Sequence, residues 1–181
     1  SYLRRHEDYL KKTFEHVLSG MTNGEWRAGN FLDWPTRHNQ EASWAGTQGL
    51  ALDAARETEF LAEALNISEL ANKARKMITD VSRLRPDPNG EKSAAAMLAL
   101  SGLRNPKEMF DQVLARDGHQ KVSTFYGYYM LEAMSAASEN QRALDTVRDY
   151  WGAMLDIGAT SFWEDFKLAW TNNCFRIDEI P

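Results

Sequence analysis

Three carboxylates adjoin tryptophans where the helical pattern of this 181-residue chain breaks: Asp33 before Trp34, and Glu164 and Asp165 after Trp163. That pairing suits saccharide chemistry. A flat aromatic face covers the apolar C–H face of a pyranose, while carboxylates accept hydrogen bonds from its hydroxyls. Two carboxylate-bearing loops at one mouth of a helical barrel would also supply an acid/base pair for glycoside hydrolysis. Each residue has a structural role open to it as well. Ser161-Phe162-Trp163-Glu164 fits the S-x-x-E capping box, in which Glu164 closes onto the backbone of Ser161. An aspartate before a Trp-Pro turn commonly organises its own backbone, and on its own Asp33 reads as structural. Trp26, Trp34, Trp163 and Trp170, four of the six tryptophans, fall in two segments that should be polar loops. They are either plugs for the end of a helical stack or a sugar platform.

Other chemistry is poorly represented. His6 and His16 lie on a helical run, and His38 and His119 fall in loops without a partner at metal-ligand spacing, so no metal site is expected. The sequence has no nucleophile elbow, phosphate-cradling glycine loop or dinucleotide fingerprint, and no cofactor is expected. The lone Cys174 excludes an internal disulfide and reads as a small hydrophobe. In "STFYGYYMLEAM", Ser123 to Met134, most aromatics read as core, with Tyr126 or Tyr128 placed to reach a pocket at the start of the helix.

The elements that must position these groups are helices. Apolar stripes recur at helical spacing, as in Leu3, Leu10, Phe14, Val17 and Leu18, or Leu70, Ala74, Met77, Ile78 and Val81. No period-two strand pattern is evident, so the class is all-α. Punctuation predicts seven substantial helices and a short one over 162–170. Gly20 ends the first, Ser68 is a candidate N-cap, and the prolines of "RPDPNGE" break the chain. "NPKE" reads as Asn105 at the cap, Pro106 at the first helical position and Glu108 closing a box. Ser123 and Asn140 are candidate starts of the last two long helices. Short connections predict antiparallel hairpins. Loops then alternate between two ends, and every long one falls at the same end: 20–40, 85–91, 118–122 and the segment after Gly158. The tight loops near Asn66, Arg104 and Glu139 fall at the other. One working face follows.

A net charge of −5 gives no support to a nucleic-acid or anionic-membrane partner, and no apolar run is long enough to span a bilayer. With 43% hydrophobic residues the chain is expected to form one all-α domain over 1–181. It opens within a helical pattern and without methionine, which suggests a segment of something longer.

"YWGAMLDIGATSFWEDF" (Tyr150 to Phe166) resembles the Y-W-G-x-M-L and G-A-T-[ST]-x-W-E segment of bacterial α-L-rhamnosidases of glycoside hydrolase family 78. "FLDWP" (Phe31 to Pro35) is similar to the D-W loop of that family, and Ser123 to Met134 to an inner helix of its barrel. The resemblance implies the C-terminal part of a catalytic (α/α)6 barrel that releases terminal α-L-rhamnosyl residues with inversion. It implies Glu164 as general base, Trp163 as the stacking aromatic, and Asp33 and Trp34 near the sugar subsite; Trp26 and Tyr126 complete the expected substrate contacts. The D-C-P-x-R-x-E and W-x-G-D motifs that carry the family's general acid do not occur here, and no histidine follows His119. The expectation is therefore a polypeptide without rhamnosidase activity of its own, whose open barrel edges self-association could cover. By resemblance the compartment is periplasmic, secreted or cytoplasmic in a bacterium. A related six-hairpin glycosidase or lyase, or a helical scaffold for protein partners, are the alternative readings; the absence of any repeat consensus speaks against the scaffold.

Overall fold

The computed structural model describes residues 2–164, 166 and 167. Trp170, Cys174 and Asp165 lie outside the described residues. Helix α1 (Tyr2–Arg5) leads into α2 (Glu7–Ser19), which lies against α3 (Gln40–Leu65). Three antiparallel hairpins follow: α3 with α4 (Ser68–Val81), α5 (Lys92–Leu100) with α6 (Pro106–Met109), and α7 (Gly127–Ala136) with α8 (Asn140–Thr146). A π-turn over Phe110–Leu114 extends α6, and another over Val147–Trp151 joins α8 to α9 (Gly152–Asp156). The seven long helices expected are present among the described residues. The π-turns are an addition that a 3.6-residue period does not announce.

The first members of the hairpins, α3, α5 and α7, pack side by side as an inner layer, and α5 is its centre. Its sequence "KSAAAMLAL" explains why: Lys92 to Ala99 are all buried, and alanines let neighbours approach on every side. The closest approach is to α3. A Cβ on Gly49 would come within 2.7 Å of the Met97 carbonyl oxygen, and one on Gly46 within 3.2 Å of the Ala94 Cα. Leu52, Met97 and Leu98 fill the space around this crossing. Each such side chain contributes roughly 1.5–3 kcal/mol relative to exposure.

Local expectations fare unevenly. Asn105 accepts from the Glu108 N–H at 3.1 Å with Pro106 at the first helical position. The Glu108 carboxylate turns away to Arg104 and Gln112 instead of closing the box. Ser68 is the first residue of α4 rather than its cap, because Ile67 holds the capping position and makes no side-chain bond. The strand-free expectation is corrected by a ribbon in the first long loop, where β1 (Met21–Thr22) pairs antiparallel with β2 (Glu25–Trp26). Thr22-Asn23-Gly24-Glu25 carries the signal for it: Asn23 and Gly24 both take positive φ, at 54° and 81°, as a tight two-residue hairpin turn requires. The helix expected over 162–170 does not form among its described residues, 162–164, 166 and 167.

Candidate functional site

The long loops converge on the end of the molecule where α3, α5 and α7 begin. Asn39 caps α3 by accepting from the Ala42 N–H at 3.2 Å, and its amide donates to the Asn89 carbonyl at 3.2 Å. The Lys121 ammonium donates to the Gly90 carbonyl at 3.2 Å and to the Glu91 carboxylate at 2.9 Å. Thr36 and Ser93 share a buried hydroxyl bond at 2.5 Å. These bonds tie the first long loop, the 85–91 turn and the 115–122 segment into one surface.

Asp33 and Trp34 emerge from this anchored loop in opposite directions. Leu32 and Thr36 are buried on either side. Asp33 is buried too: Oδ1 accepts from the Trp34 N–H at 2.9 Å and Oδ2 from the Ser123 hydroxyl at 2.8 Å. The same Ser123 oxygen accepts from the Tyr126 N–H at 3.2 Å, so Asp33 organises both its own turn and the entrance to α7. Trp34 projects outward, braced edge-on by Phe31 with ring centres 5.3 Å apart.

Glu164 reaches the same place from the other end of the chain. Helix α9 stops at a Schellman motif: the Ala159 N–H bonds the Met154 carbonyl at 3.0 Å, and the Gly158 N–H bonds that of Leu155 at 2.9 Å. Gly158 turns the chain at a φ of 91°. The following segment is pinned by the Thr124 hydroxyl, which donates to the Trp163 carbonyl, and by Phe166, buried edge-on to Tyr150 at 5.6 Å. Between these anchors, the exposed Glu164 accepts from the Trp34 indole N–H at 3.0 Å. The carboxylate thus bonds a side chain of the other loop; residues 161–164 are not helical, and the capping-box reading gives way.

Trp163 and Glu164 line an open cavity of about 470 Å³ with Thr124, Phe125, Tyr128, Tyr129 and Phe162. Tyr126 is not on that lining. It stands half-buried behind it among Phe125 and Tyr129, and burial together with the Asp33 charge pushes its phenol up to about 12. Trp26 is also elsewhere: it sits on the ribbon and lines a separate cavity of about 610 Å³ with Arg27, Gln40, Glu41 and Trp44. Its backbone is held by Gln48, which accepts from the Trp26 N–H at 2.8 Å and donates to its carbonyl at 3.0 Å. The structure therefore brings Trp34, Trp163 and Glu164 together, puts Asp33 and Tyr126 beneath them, and sets Trp26 apart. Ser123 and Thr124, at the head of the Ser123–Met134 segment, position these residues together with Gln48, which belongs to no motif. Among the described residues no group of three or more His, Cys, Asp or Glu side chains could hold a metal ion. No described helix is long and apolar enough to cross a membrane.

No family model matches the chain, and no curated protein matches it. Among solved structures its fold is similar to that of a rhamnosidase from Klebsiella oxytoca with rhamnose bound, with a TM-score of 0.64 and 20% identity. The match covers 86% of this chain and 34% of that one. The all-α hairpin architecture is thus shared with about a third of that rhamnosidase.

Proposed function

We propose that this chain is part of the catalytic domain of an inverting α-L-rhamnosidase, folded as one unit over 1–181 and forming part of an (α/α)6 barrel. Two observations support the reading: the fold likeness to a rhamnosidase, and the hydrogen bond between Trp34 and Glu164, 130 positions apart in sequence. In this reading Glu164 is the general base. The Trp34 indole fixes one carboxylate oxygen, and the other is left to take a proton from the water that attacks the anomeric carbon. Trp163 covers the apolar face of the sugar, in a cavity whose walls are mostly aromatic. Asp33 supports the site from below by holding Trp34 and the start of α7.

Inversion needs a second carboxyl group about 6.5–9.5 Å from the first to protonate the leaving oxygen. No motif for that acid occurs in the 181 residues, so it comes from another part of the protein. The substrate is a terminal α-L-rhamnosyl group on a glycan or glycoside, and no cofactor takes part.

The test has two readouts on this chain. L-Rhamnose should quench or shift tryptophan emission saturably, with Glu164→Gln weakening the affinity roughly tenfold, as expected for loss of a charged acceptor. No turnover of an aryl α-L-rhamnoside should be seen. Failure of rhamnose to bind sinks the sugar-site reading; turnover that Glu164→Gln abolishes would place the acid within these residues.

A further inference from the structure

Trp34, bonded to Glu164, also lines a second and larger cavity. Its ring lines a space of about 730 Å³ whose other polar walls include Arg37, His38, His119, Lys121 and Lys167. No acidic side chain lines it among the described residues, although the chain as a whole carries a net charge of −5. Arg37 lies over the Trp34 ring at 5.7 Å, and its Nε donates to the Nε2 of His38 at 2.9 Å. His38 is thereby held with Nε2 as acceptor. The Lys121 ammonium is balanced by Glu91 at 2.9 Å. Neither Arg37 nor Lys167 meets a carboxylate among the described residues, and both are exposed. Two cations without a carboxylate partner among the described residues thus share one concave surface with an aromatic ring.

We propose that this cavity is a binding subsite for an anionic sugar residue, one carrying a carboxylate or a sulfate ester, adjoining the neutral sugar held beside Glu164. The inference deepens the sugar-binding reading and rests on it for the class of ligand. The cations themselves ask only for an anion. A charged ligand gains from Arg37 and Lys167 together, because both act across a partly enclosed space where screening is weaker than in bulk water. A neutral sugar can accept hydrogen bonds from these cations but lacks the added attraction between opposite charges.

Calorimetric titration of the 181-residue chain with D-galacturonate, D-galactose 6-sulfate, D-galactose and L-rhamnose tests this. At least one anionic sugar should bind tenfold or more tighter than galactose, and the tighter of the two identifies the group. The double variant Arg37→Gln/Lys167→Gln should remove that advantage while leaving rhamnose binding unchanged, its folding checked by circular dichroism. Equal affinity for charged and neutral galactose, or charge preference that survives the double variant, overturns the proposal. If rhamnose binds and no anionic sugar does, the subsite is wrong and the glycosidase reading stands. If an anionic sugar binds and rhamnose does not, the anion subsite stands and the rhamnosyl site falls.

Discussion

Asp33 lies beside the candidate base in space, yet its carboxylate spends both oxygens on the protein, on the Trp34 N–H and the Ser123 hydroxyl. Its removal should therefore act on stability first. Asp33→Ala leaves one buried and one part-buried donor unpaired and is expected to lower unfolding free energy by about 2 kcal/mol in urea. Asp33→Asn should be milder, because an amide oxygen still accepts from the backbone and the serine hydroxyl can reverse its role. Unchanged stability with lost rhamnose affinity would instead make Asp33 a direct sugar contact. The sequence offered both roles for Asp33 and leaned to the structural one; the hydrogen bonds now carry that preference. For Glu164 the S-x-x-E spacing on its own allows a cap, and the structure differs, since spacing along a chain carries no record of the Trp34 indole brought in from another loop. Lys92 was invisible for a similar reason. It is a single lysine at a helix start, and only the packed fold buries it, pulling its ammonium from 10.5 down to about 8, with its Nζ on the Gly118 carbonyl. The sign follows from linkage. Below pH 8 folded and unfolded chains are both protonated and the fold carries the full cost of burying the charge. Between pH 8 and 10.5 the folded chain releases its proton first, so stability rises with pH at about 1.4 kcal/mol for each pH unit separating those values. Urea unfolding at pH 7.5 and 9.5 should show a gain in the natural chain that Lys92→Met lacks. Tyr126, raised to about 12, costs stability only above pH 10, beyond both pH values compared.

At the scale of elements, periodicity and punctuation made the helical rods legible because burial on one face repeats at a fixed spacing. The departures lie where a few residues decide. The ribbon over 21–26 is too short for an alternating pattern, though its Asn-Gly turn was a usable signal. The π-turns depend on how α6 and α8 meet their neighbours, which no local pattern encodes. The sequence predicts that the segment after α9 restarts as a helix; its described residues instead form turns and bends beyond the Schellman turn, anchored at Trp163 and Phe166. Gly158 is the hinge of that arrangement. A Cβ there would meet nothing within 4 Å, so its requirement for glycine comes from the φ of 91° alone. Gly158→Ala should cost about 1 kcal/mol or more, through backbone strain with no steric clash. Because the same turn aims Trp163 and Glu164, the substitution should also weaken rhamnose binding. A stability loss without any change in affinity would mean that Thr124 and Phe166 suffice to place the carboxylate.

For the molecule as a whole, the inner layer of α3, α5 and α7 covers itself only in its middle. Helix α8 buries none of its residues, and Leu144 and Leu155 are 52% and 59% exposed at that edge. At the leading edge, Tyr2 and Tyr9 are 68% and 72% exposed on α1 and α2. In a closed ring of hairpins both edges would meet further helices; on this chain they form apolar margins of the kind that drives association. The working face lies at the ends of the helices rather than along these margins, so contact between edges leaves the Trp34–Glu164 pair open. Sedimentation over a range of concentrations should therefore show self-association at tens of micromolar and above. Leu144→Lys with Leu155→Lys should shift the chain toward monomer, since each lysine places a charge in the contact at no cost to the core. Rhamnose affinity should be the same in both forms. A natural chain that stays monomeric throughout, or a double variant that associates equally well, would show that these margins are tolerated as ordinary surface. Loss of rhamnose binding on dissociation would mean instead that a second copy completes the site.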